Sequence, residues 1–321
     1  MSTTHFLAFW NLENLFDTED ADRSDKLRRV LGKALRGWNE KRLSRKIDNL
    51  ARVIRAMNDG RGPDLLGVCE VENRRVLERL ARASESAGRR YQIAHADTRD
   101  RRGIDVAFLY DPARFTAEAT FQHWVMRRTA TRDLFQVNFR TAAGRQLVVI
   151  GNHWPSRLPA AEATAAYRAI AGETLAYFHQ RILEVLGKRT PVLAMGDFND
   201  EPFDISLVRH ALAERSPTKV SNARSPVFLN LMWPRMGQAE GSFYYGNRPF
   251  VFDQFLANKN LMTRRAPLRA LPDSVSIHRD PAMVASGEYP RPVRYGGLGK
   301  PVNPAGCSDH FPVTLLLEET G

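Results

Sequence analysis

Cysteine is nearly absent from this sequence, which holds only Cys69 and Cys307 among its 321 residues. Two cysteines cannot form the disulfide framework of a small secreted domain, and we expect both to be buried, reduced thiols. No apolar run approaches the roughly 20 residues that a membrane-spanning helix needs. The N-terminus also lacks the basic segment, apolar core and cleavage site of a signal peptide. These absences predict a cytoplasmic protein without a transmembrane segment.

Acidic residues are outnumbered: 36 Asp and Glu stand against 47 Lys and Arg, which gives a formal net charge of +11. This excess favours a polyanionic partner such as nucleic acid, or another anionic surface. The alternative is a solvated, arginine-rich surface without a binding role. The hydrophobic content of 43% and charged content of 26% are those of an ordinary globular protein.

The apolar pattern predicts many strands with helices between them. The predicted strands are 6–11, 64–70, 91–95, 104–110, 121–126, 134–140, 146–152, 191–196 and 311–317, with a hairpin at 244–255. The predicted helices are 40–58, 73–87, 160–186 and 205–214. The charged segment 18–39 is predicted as a loop with a short helix, and the Pro- and Gly-rich segment 285–306 as an ordered loop. This order suggests two sheets covered by helices on both outer faces.

Five short polar motifs each follow or interrupt an apolar, strand-like run. They are WNLEN at 10–14, VCEVEN at 68–73, GNHWP at 151–155, MGDFND at 195–200 and CSDHF at 307–311. Strand ends that converge at one edge of a sheet bring distant residues together. Here they would gather carboxylates, amides and imidazoles, the groups that bind a hard divalent cation and act on phosphate esters. Because the motifs span both ends of the chain, we predict one domain over 1–321.

Two motifs carry a physical argument of their own. Glu70 ends a buried apolar strand, where a carboxylate is costly unless it meets a cation or a donor. The alternative is that Glu70 caps the helix that starts near Asn73. Asp197 and Asn199 lie two apart in an extended segment, so both can face one phosphate. The alternative there is a turn after the strand, a role that suits Asp200.

In order and in strand context, the five motifs resemble those of the endonuclease/exonuclease/phosphatase superfamily. That superfamily includes pancreatic deoxyribonuclease, abasic-site endonucleases of the exonuclease III type, neutral sphingomyelinases and inositol-polyphosphate 5-phosphatases. The resemblance covers nearly the whole chain. It implies an α+β fold, a four-layer αββα sandwich with two mixed β-sheets flanked by helices.

The resemblance also implies roles at the metal and the phosphate. Glu70 corresponds to the principal ligand of Mg²⁺, with Mn²⁺ as an alternative, and Asn11 and Asp309 support the same ion. Asp197 orients or deprotonates the attacking water, and Asn199 donates to a phosphoryl oxygen. The choice of general base between Asp197 and the histidine of the last motif stays open.

The same resemblance assigns two histidines. His310 contacts the scissile phosphate, and Asp253 is its buried partner. His153 stands where pancreatic deoxyribonuclease and the sphingomyelinases also carry a histidine and the abasic-site endonucleases carry a tyrosine in that region. It can protonate the leaving oxygen or stabilise equatorial charge, and Asp105 is our candidate for its acid partner.

Four further residues are candidates for substrate binding. Arg102 and Arg157 can clamp phosphate oxygens in pairs, and the alternative is ordinary surface arginines. Phe250 lies where the abasic-site endonucleases have a pocket tryptophan, and Trp154 adjoins a motif. Aromatic rings beside a basic groove can stack on bases, and the alternative is packing.

The sequence therefore predicts a divalent-metal-dependent phosphodiesterase that uses in-line attack of water, with DNA or RNA endonuclease activity favoured. One alternative is a phosphatase or a phospholipase C-like enzyme that acts on a sphingolipid, an inositol phosphate or another small phosphoester. The other is an inactive nucleic-acid-binding protein on the same fold. We expect a monomer.

Overall fold

Two stacked β-sheets form the centre of the computed structural model, which describes residues 2–86, 88–128, 131–157, 161–287 and 290–321. The strands are β1 (Ser2–Leu15), β2 (Leu65–Val71), β3 (Gln92–His95), β4 (Asp105–Tyr110), β5 (Phe115–His123), β6 (Leu134–Thr141), β7 (Gln146–His153), β8 (Val192–Asp197), β9 (Ala213–Glu214), β10 (Phe228–Asn230), β11 (Phe243–Tyr245), β12 (Arg248–Phe250), β13 (Asp253–Asn258), β14 (Leu268–Ile277) and β15 (Val313–Thr320). One sheet has the order β14-β15-β1-β2-β4-β3 and the other β5-β6-β7-β8-β13-β10-β9. Both are mixed, because β1–β2 and β7–β8 are parallel while β1–β15 and β6–β7 are antiparallel.

Helices cover the outer faces of the two sheets. The α-helices of the described chain are α1 (Asp25–Leu31), α2 (Glu40–Ala56), α3 (Arg74–Ala83), α4 (Ala161–Leu186), α5 (Pro217–Asn222) and α6 (Lys259–Met262), of which α2, α3 and α4 form the outer layers. α2 and α3 bury their apolar faces on the six-stranded sheet, and α4 packs against β7 and β8 of the other. The predicted four-layer sandwich is thus confirmed, whereas the single domain stays a prediction. Within the described ranges, no helix is long and apolar enough to cross a membrane.

Aromatic side chains fill the space between the two sheets. Phe108 of β4 stacks on Phe135 of β6 with ring centroids 5.9 Å apart, although the two strands belong to different sheets. Gly151 of β7 permits this approach. A Cβ atom there would lie 2.6 Å from Val106 Cγ1 and 2.9 Å from the Phe108 ring. The sheets can therefore approach closely only because Gly151 has no side chain.

Gly151→Ala is expected to lower the free energy of unfolding by about 1–3 kcal/mol, because the added methyl overpacks the core. Urea unfolding measures this loss. Adding Val106→Ala removes the nearer clashing methyl, so the double variant should lose less stability than the sum of the single variants. A Gly151→Ala protein with the wild-type urea midpoint would contradict this account of the interface.

His179 on α4 is a buried imidazole with a strongly shifted titration. It is 1% exposed and stacks on the Phe228 ring with centroids 4.0 Å apart. Burial lowers the pKa of His179 from 6.5 to about 3. Between these values the unfolded chain binds a proton and the folded chain does not, so this group makes stability fall as the pH falls.

His179→Leu is expected to remove this pH dependence. Relative to their values at pH 7, the free energies of unfolding at pH 5 should differ by about 2 kcal/mol, with the smaller loss in the variant. Urea unfolding of both proteins at a series of pH values measures the difference. Parallel curves for the two proteins would show that the imidazole is not held neutral by folding.

Several strands and helices differ from those predicted. The strand predicted at 121–126 runs from Phe115 to His123, and the hairpin at 244–255 is only β11 and β12, with β13 placed in the large sheet. The helix predicted at 205–214 is a single wide turn, Ser206–His210, followed by β9. It ends because Leu212 takes a left-handed conformation with φ 54°. Strand β14, which contains a register shift after Leu271, was not predicted.

Candidate active site

A cavity of about 360 Å³ opens where the motif-bearing strand ends meet. In the seven-stranded sheet, His153, Asp197 and Asp253 are direct neighbours in register on β7, β8 and β13. In the six-stranded sheet, Asn11 of β1 pairs with Cys69 of β2, and Glu70 is the residue that follows Cys69. The predicted site residues that line the cavity are Asn11, Glu70, Arg102, His153, Arg157, Asp197, Asn199, Phe250, Asp309 and His310.

Three polar side chains converge on one oxygen of Asp197. Asn11 Nδ2 donates to Asp197 Oδ2 at 3.0 Å, and Nε2 of His153 and of His310 lie 3.8 and 3.9 Å from the same oxygen. The other oxygen, Oδ1, accepts the backbone N–H of Asn199 at 2.9 Å. Burial raises the pKa of Asp197 to about 7. A carboxyl group of this pKa can exchange a proton with water near neutral pH.

His310 is held by a fully buried carboxylate. Its Nδ1 lies 2.7 Å from Asp253 Oδ2, and its carbonyl oxygen accepts a hydrogen bond from Trp10 Nε1 at 2.8 Å. Burial by itself would lower the pKa of His310, but the carboxylates of Asp253 and Asp197 outweigh it and raise the pKa to about 10. The imidazole is therefore a cation at neutral pH.

His153, in contrast to His310, is a neutral imidazole at neutral pH. Burial lowers its pKa well below the usual value, and the neighbouring cation of Arg132 adds to the lowering. Nε2 faces the carboxylates of Glu70 at 3.6 Å and Asp197 at 3.8 Å, which favours the tautomer with the proton on Nε2. A neutral imidazole thus presents an N–H group beside the imidazolium of His310.

Arg132 lies outside the five motifs, and its guanidinium binds the backbone at His153 and Trp154. Its Nε donates to the carbonyl oxygen of His153 at 3.2 Å, and its Nη2 to that of Trp154 at 2.8 Å. Nη1 lies 3.4 Å from Asp100 Oδ2. The guanidinium therefore fixes the end of β7 and joins it to the loop that precedes β4.

Several carboxylates lie close together around Glu70 and Asp309 in the cavity wall. Burial raises the pKa of Asp309 to about 6, and the charges of Glu13 and Glu70 add to the rise. Glu70 has a left-handed backbone with φ 62°, a costly conformation that is typical of functional sites. Partly buried carboxylates that repel one another, with the Asn11 side chain lining the same cavity, offer the oxygen donors that Mg²⁺ or Mn²⁺ prefers. The residues present fit such an ion.

The alternative capping role of Glu70 is taken by another residue. Asn73 is the N-cap of α3, and its side chain accepts the backbone N–H of Val76 at 3.0 Å. One oxygen of Glu70 accepts the backbone N–H of Asn14 at 2.9 Å. Because Glu70 lines the cavity, its carboxylate stays beside the other candidate ligands.

The loop predicted at 285–306 reaches the cavity through Glu13. The Glu13 carboxylate accepts Arg294 Nε at 3.0 Å and the backbone N–H of Tyr295 at 2.8 Å. Arg294 Nη2 lies 3.0 Å from Asp309 Oδ2, and the fully buried Lys46 donates to the Glu13 carbonyl oxygen. Glu13 therefore anchors a loop that brings a cation to the candidate metal ligands.

The two cysteines are buried and form no disulfide, as expected. Cys69 Sγ lies within 4.8 Å of donor atoms of His153 and Asp197. Burial raises the pKa of the Cys69 thiol well above its usual value. Without a metal ion beside it, this thiol therefore stays protonated at neutral pH.

The sequence model of the Endonuclease/Exonuclease/phosphatase family matches residues 6–319. The chain belongs to this family. Its members are phosphoester hydrolases, so the resemblance inferred from the five motifs is confirmed. Among curated proteins, no sequence match is found.

Several solved structures share this fold over nearly their whole length. A mannosyl-6-phosphatase from Bacteroides thetaiotaomicron is 16% identical, with 98% of this chain and 99% of that chain covered and a TM-score of 0.57. A truncated TDP2 from Caenorhabditis elegans is 13% identical, with 98% and 97% covered and a TM-score of 0.57. The human nocturnin catalytic domain, with a bound sulfate anion, is 15% identical, with 99% and 94% covered and a TM-score of 0.56. At these identities the likeness shows the fold alone.

Asp105 does not lie beside His153, so the prediction that it is the acid partner of His153 is corrected. Asp105 Oδ2 lies 2.9 Å from His95 Nε2, and its other oxygen accepts a backbone N–H of the preceding loop. The side chain is therefore engaged with β3 and that loop rather than with the cavity. In the part of the chain that the structure describes, the carboxylates within 4 Å of His153 Nε2 are those of Glu70 and Asp197.

Trp154 is also corrected, because its side chain lies in the core rather than in the cavity. The ring is 1% exposed, packs edge-on against Phe198 at 4.8 Å and donates through Nε1 to Asn152 Oδ1 at 3.0 Å. It belongs to the cluster under α4, on the side opposite His153. Its contribution to the site is a carbonyl oxygen, which accepts Asn199 Nδ2 at 3.1 Å.

Arg102 and Arg157 both line the cavity but have carboxylate partners. Arg102 Nη2 lies 3.5 Å from Glu70 Oε1. Arg157 Nη1 lies 2.9 Å from Asp204 Oδ2 and 3.5 Å from Asp200 Oδ1. Both guanidinium groups are therefore positioned before any substrate binds.

An aromatic wall faces these cations. Phe243 of β11 pairs with Phe250 of β12, and Phe243 lies 4.8 Å from the His310 ring. Phe252 and Tyr245 complete the wall. Of these four rings, Phe250 is the one predicted from the sequence as a substrate-binding residue, since an aromatic residue in a hairpin is more often structural.

Proposed function

We propose that this chain is a divalent-metal-dependent phosphodiesterase that cleaves nucleic acid by in-line attack of water on phosphorus. The observation that carries the proposal is the convergence of Asn11, His153 and His310 on Asp197 Oδ2 at the floor of the cavity. These groups come from four separate motifs and would otherwise have no reason to share one buried point. Family membership supports phosphoester hydrolysis as the class of reaction.

Asp197 is proposed as the group that accepts the proton of the attacking water. Its pKa of about 7 suits this role, and the hydrogen bonds from Asn11 and Asn199 fix the orientation of the carboxylate. His310 is poorly suited as the base, because its pKa of about 10 keeps it protonated. We assign His310 to the phosphoryl oxygens, whose growing negative charge an imidazolium stabilises.

His153 is proposed as a neutral hydrogen-bond donor. Its lowered pKa makes an imidazolium unfavourable, so it does not start as a protonated general acid. The N–H of Nε2 can instead donate to a phosphoryl oxygen or to the leaving oxygen. Two imidazoles with pKa values shifted in opposite directions thus have separate roles.

Glu70, Asp309 and Asn11 are the residues that would hold Mg²⁺ or Mn²⁺ in this cavity. When bound, such an ion neutralises phosphoryl charge and stabilises the leaving oxyanion. Arg294, which Glu13 holds in place, orients Asp309 and limits the repulsion among the carboxylates. Removal of the metal is therefore expected to abolish turnover.

A nucleic-acid substrate is favoured by the walls of the cavity. Arg102, Arg157, Arg294 and Lys300 supply cations for phosphates, and Phe243 with its aromatic neighbours supplies flat apolar surface for a sugar or a base. The formal net charge of +11 favours the same substrate class. A small phosphoester is the second candidate. It is favoured by the cavity volume of about 360 Å³ and by the likeness to a mannosyl-6-phosphatase.

One assay separates these candidates. Purified protein is incubated with plasmid, single-stranded DNA, RNA and a panel of small phosphoesters, each with Mg²⁺, Mn²⁺ or EDTA. Metal-dependent cleavage of nucleic acid is expected. Hydrolysis of small esters with intact nucleic acid would transfer the assignment to a phosphatase or phospholipase C-like activity. Binding of nucleic acid without any turnover would favour the inactive binding protein.

A further inference from the structure

Arginines and exposed aromatic rings form a surface beside the cavity and outside the catalytic residues. Trp124 is 57% exposed, and the guanidinium of Arg99 lies 4.3 Å from the centre of its ring. Tyr167 is 38% exposed, and the guanidinium of Arg127 lies 3.8 Å from its ring. We call these four residues the arginine–aromatic rim.

The topology places this rim at the catalytic end of both sheets. β5 ends at His123, opposite Leu134 of β6, and β6 in turn lies beside the end of β7 that carries His153. The loop with Trp124 and Arg127 therefore starts and ends at the edge where the cavity opens. The loop with Arg99 continues to Arg102 in the cavity wall.

One set of contacts and one short separation along α4 connect the rim to the site. Arg132 bonds the carbonyl oxygen of His153 and lies 3.4 Å from Asp100, the residue after Arg99. Tyr167 lies six residues after Ala161, which lines the cavity, so it is about 9 Å along α4 from the cavity wall at 1.5 Å per residue. A chain that leaves the cavity on this side would pass over the rim.

The composition of the rim indicates the partner. Exposed Arg101 and Arg128 add positive charge beside the two stacked pairs. The nearby carboxylates of Asp100 and Asp133 are both buried, and Asp100 is paired with Arg132. Each guanidinium lies over one face of an exposed ring, so a cation and a flat ring stand side by side. A phosphate and its base are neighbours in the same way along a single strand, where every base has a free face. In a duplex the bases are stacked inside and do not reach such rings.

We propose that the arginine–aromatic rim binds single-stranded nucleic acid, with a base on Trp124 and phosphates on Arg99 and Arg127. The inference rests on the proposed function, since it assigns the strand that the cavity would cut. It extends the binding surface beyond the cavity and predicts a preference for single-stranded over duplex substrates.

The stacking arm of the test uses a fluorescein-labelled oligothymidylate with EDTA present to prevent cleavage. Trp124→Ala is expected to raise the dissociation constant about tenfold, the loss typical of one stacked base. Tyr177→Ala is the matched control, because Tyr177 is 58% exposed and lies farther along α4. The control should bind as the wild type does.

The charge arm uses the dependence of binding on salt. The double substitution Arg99→Ala and Arg127→Ala is expected to reduce the log–log salt slope by about 1.4, since each phosphate contact to a single strand contributes about 0.7. Arg61→Ala is the control, because its side chain is 65% exposed at the opposite end of the fold, before β2. It should leave the slope near the wild-type value.

Two further measurements separate this inference from the proposed function. Hydrolysis of a small phosphodiester should be unchanged in the rim variants. If the wild type cleaves no phosphodiester but its oligothymidylate binding depends on Trp124, the rim stands and the proposed function fails. Wild-type affinity in the rim variants would overturn the inference. So would loss of binding to phosphatidylglycerol vesicles with intact oligothymidylate binding, which would make the rim a membrane contact.

Discussion

His310→Gln is expected to lower kcat for phosphoester hydrolysis by about 10³- to 10⁴-fold. The imidazolium lies 3.9 Å from Asp197 Oδ2 and is held by Asp253 at 2.7 Å, so it is fixed where phosphoryl charge would grow. Glutamine keeps a polar group beside Asp253 but carries no charge. Steady-state kinetics at saturating metal measures the loss, and urea unfolding checks that the variant is folded. His278→Gln, outside the cavity, is the control for substituting a histidine.

Asp253→Asn tests the electrostatic part of the same argument. The Asp253 carboxylate is the main group that raises the pKa of His310 to about 10, so its removal lowers that pKa. The imidazolium then loses its proton at a lower pH, and the alkaline decline of kcat should move to lower pH than in the wild type. If His310→Gln stays within tenfold of the wild type, or if Asp253→Asn leaves the alkaline decline in place, His310 does not act as a cation.

The shared edge of the two sheets could be predicted from the sequence, because it depends on apolar strands that end in polar motifs. The register of His153, Asp197 and Asp253 follows from three such strand ends lying side by side. The alternation of side chains along β7 also predicts on which side of the sheet Trp154 lies. If His153 faces the cavity, the next residue, Trp154, must point to the layer under α4.

Other parts of the site depend on loops and could not be predicted in this way. Arg132 and Arg294 lie in segments without periodicity, and their roles arise only from distant carbonyl and carboxylate groups. Asp105 begins a strand, and whether its carboxylate meets His95 or the cavity depends on the path of the preceding loop. The rim residue Trp124 lies just past the end of β5, which ends at His123. The strand predicted at 121–126 would instead have included Trp124.

Glu70→Gln is expected to raise the Mg²⁺ concentration for half-maximal activity by at least about tenfold. Glu70 and Asp309 line one cavity, and the charge of Glu70 contributes to the raised pKa of Asp309. Loss of this charge weakens the attraction for a divalent cation. Titration of activity with Mg²⁺ measures the effect. Glu78→Gln is the control, because Glu78 is an exposed carboxylate on α3 that pairs with Arg74.

Thermal unfolding provides a readout that does not depend on turnover. Binding of Mg²⁺ to the folded state should raise the Tm of the wild type and of Glu78→Gln, and raise it much less in Glu70→Gln. In EDTA, Glu70→Gln should not have a lower Tm than the wild type, because removing the Glu70 charge relieves its repulsion with Asp309. A capping role for Glu70 predicts the reverse, a lower Tm in EDTA and an unchanged response to Mg²⁺. The two Tm differences together therefore decide whether the strained end of β2 is built for a cation.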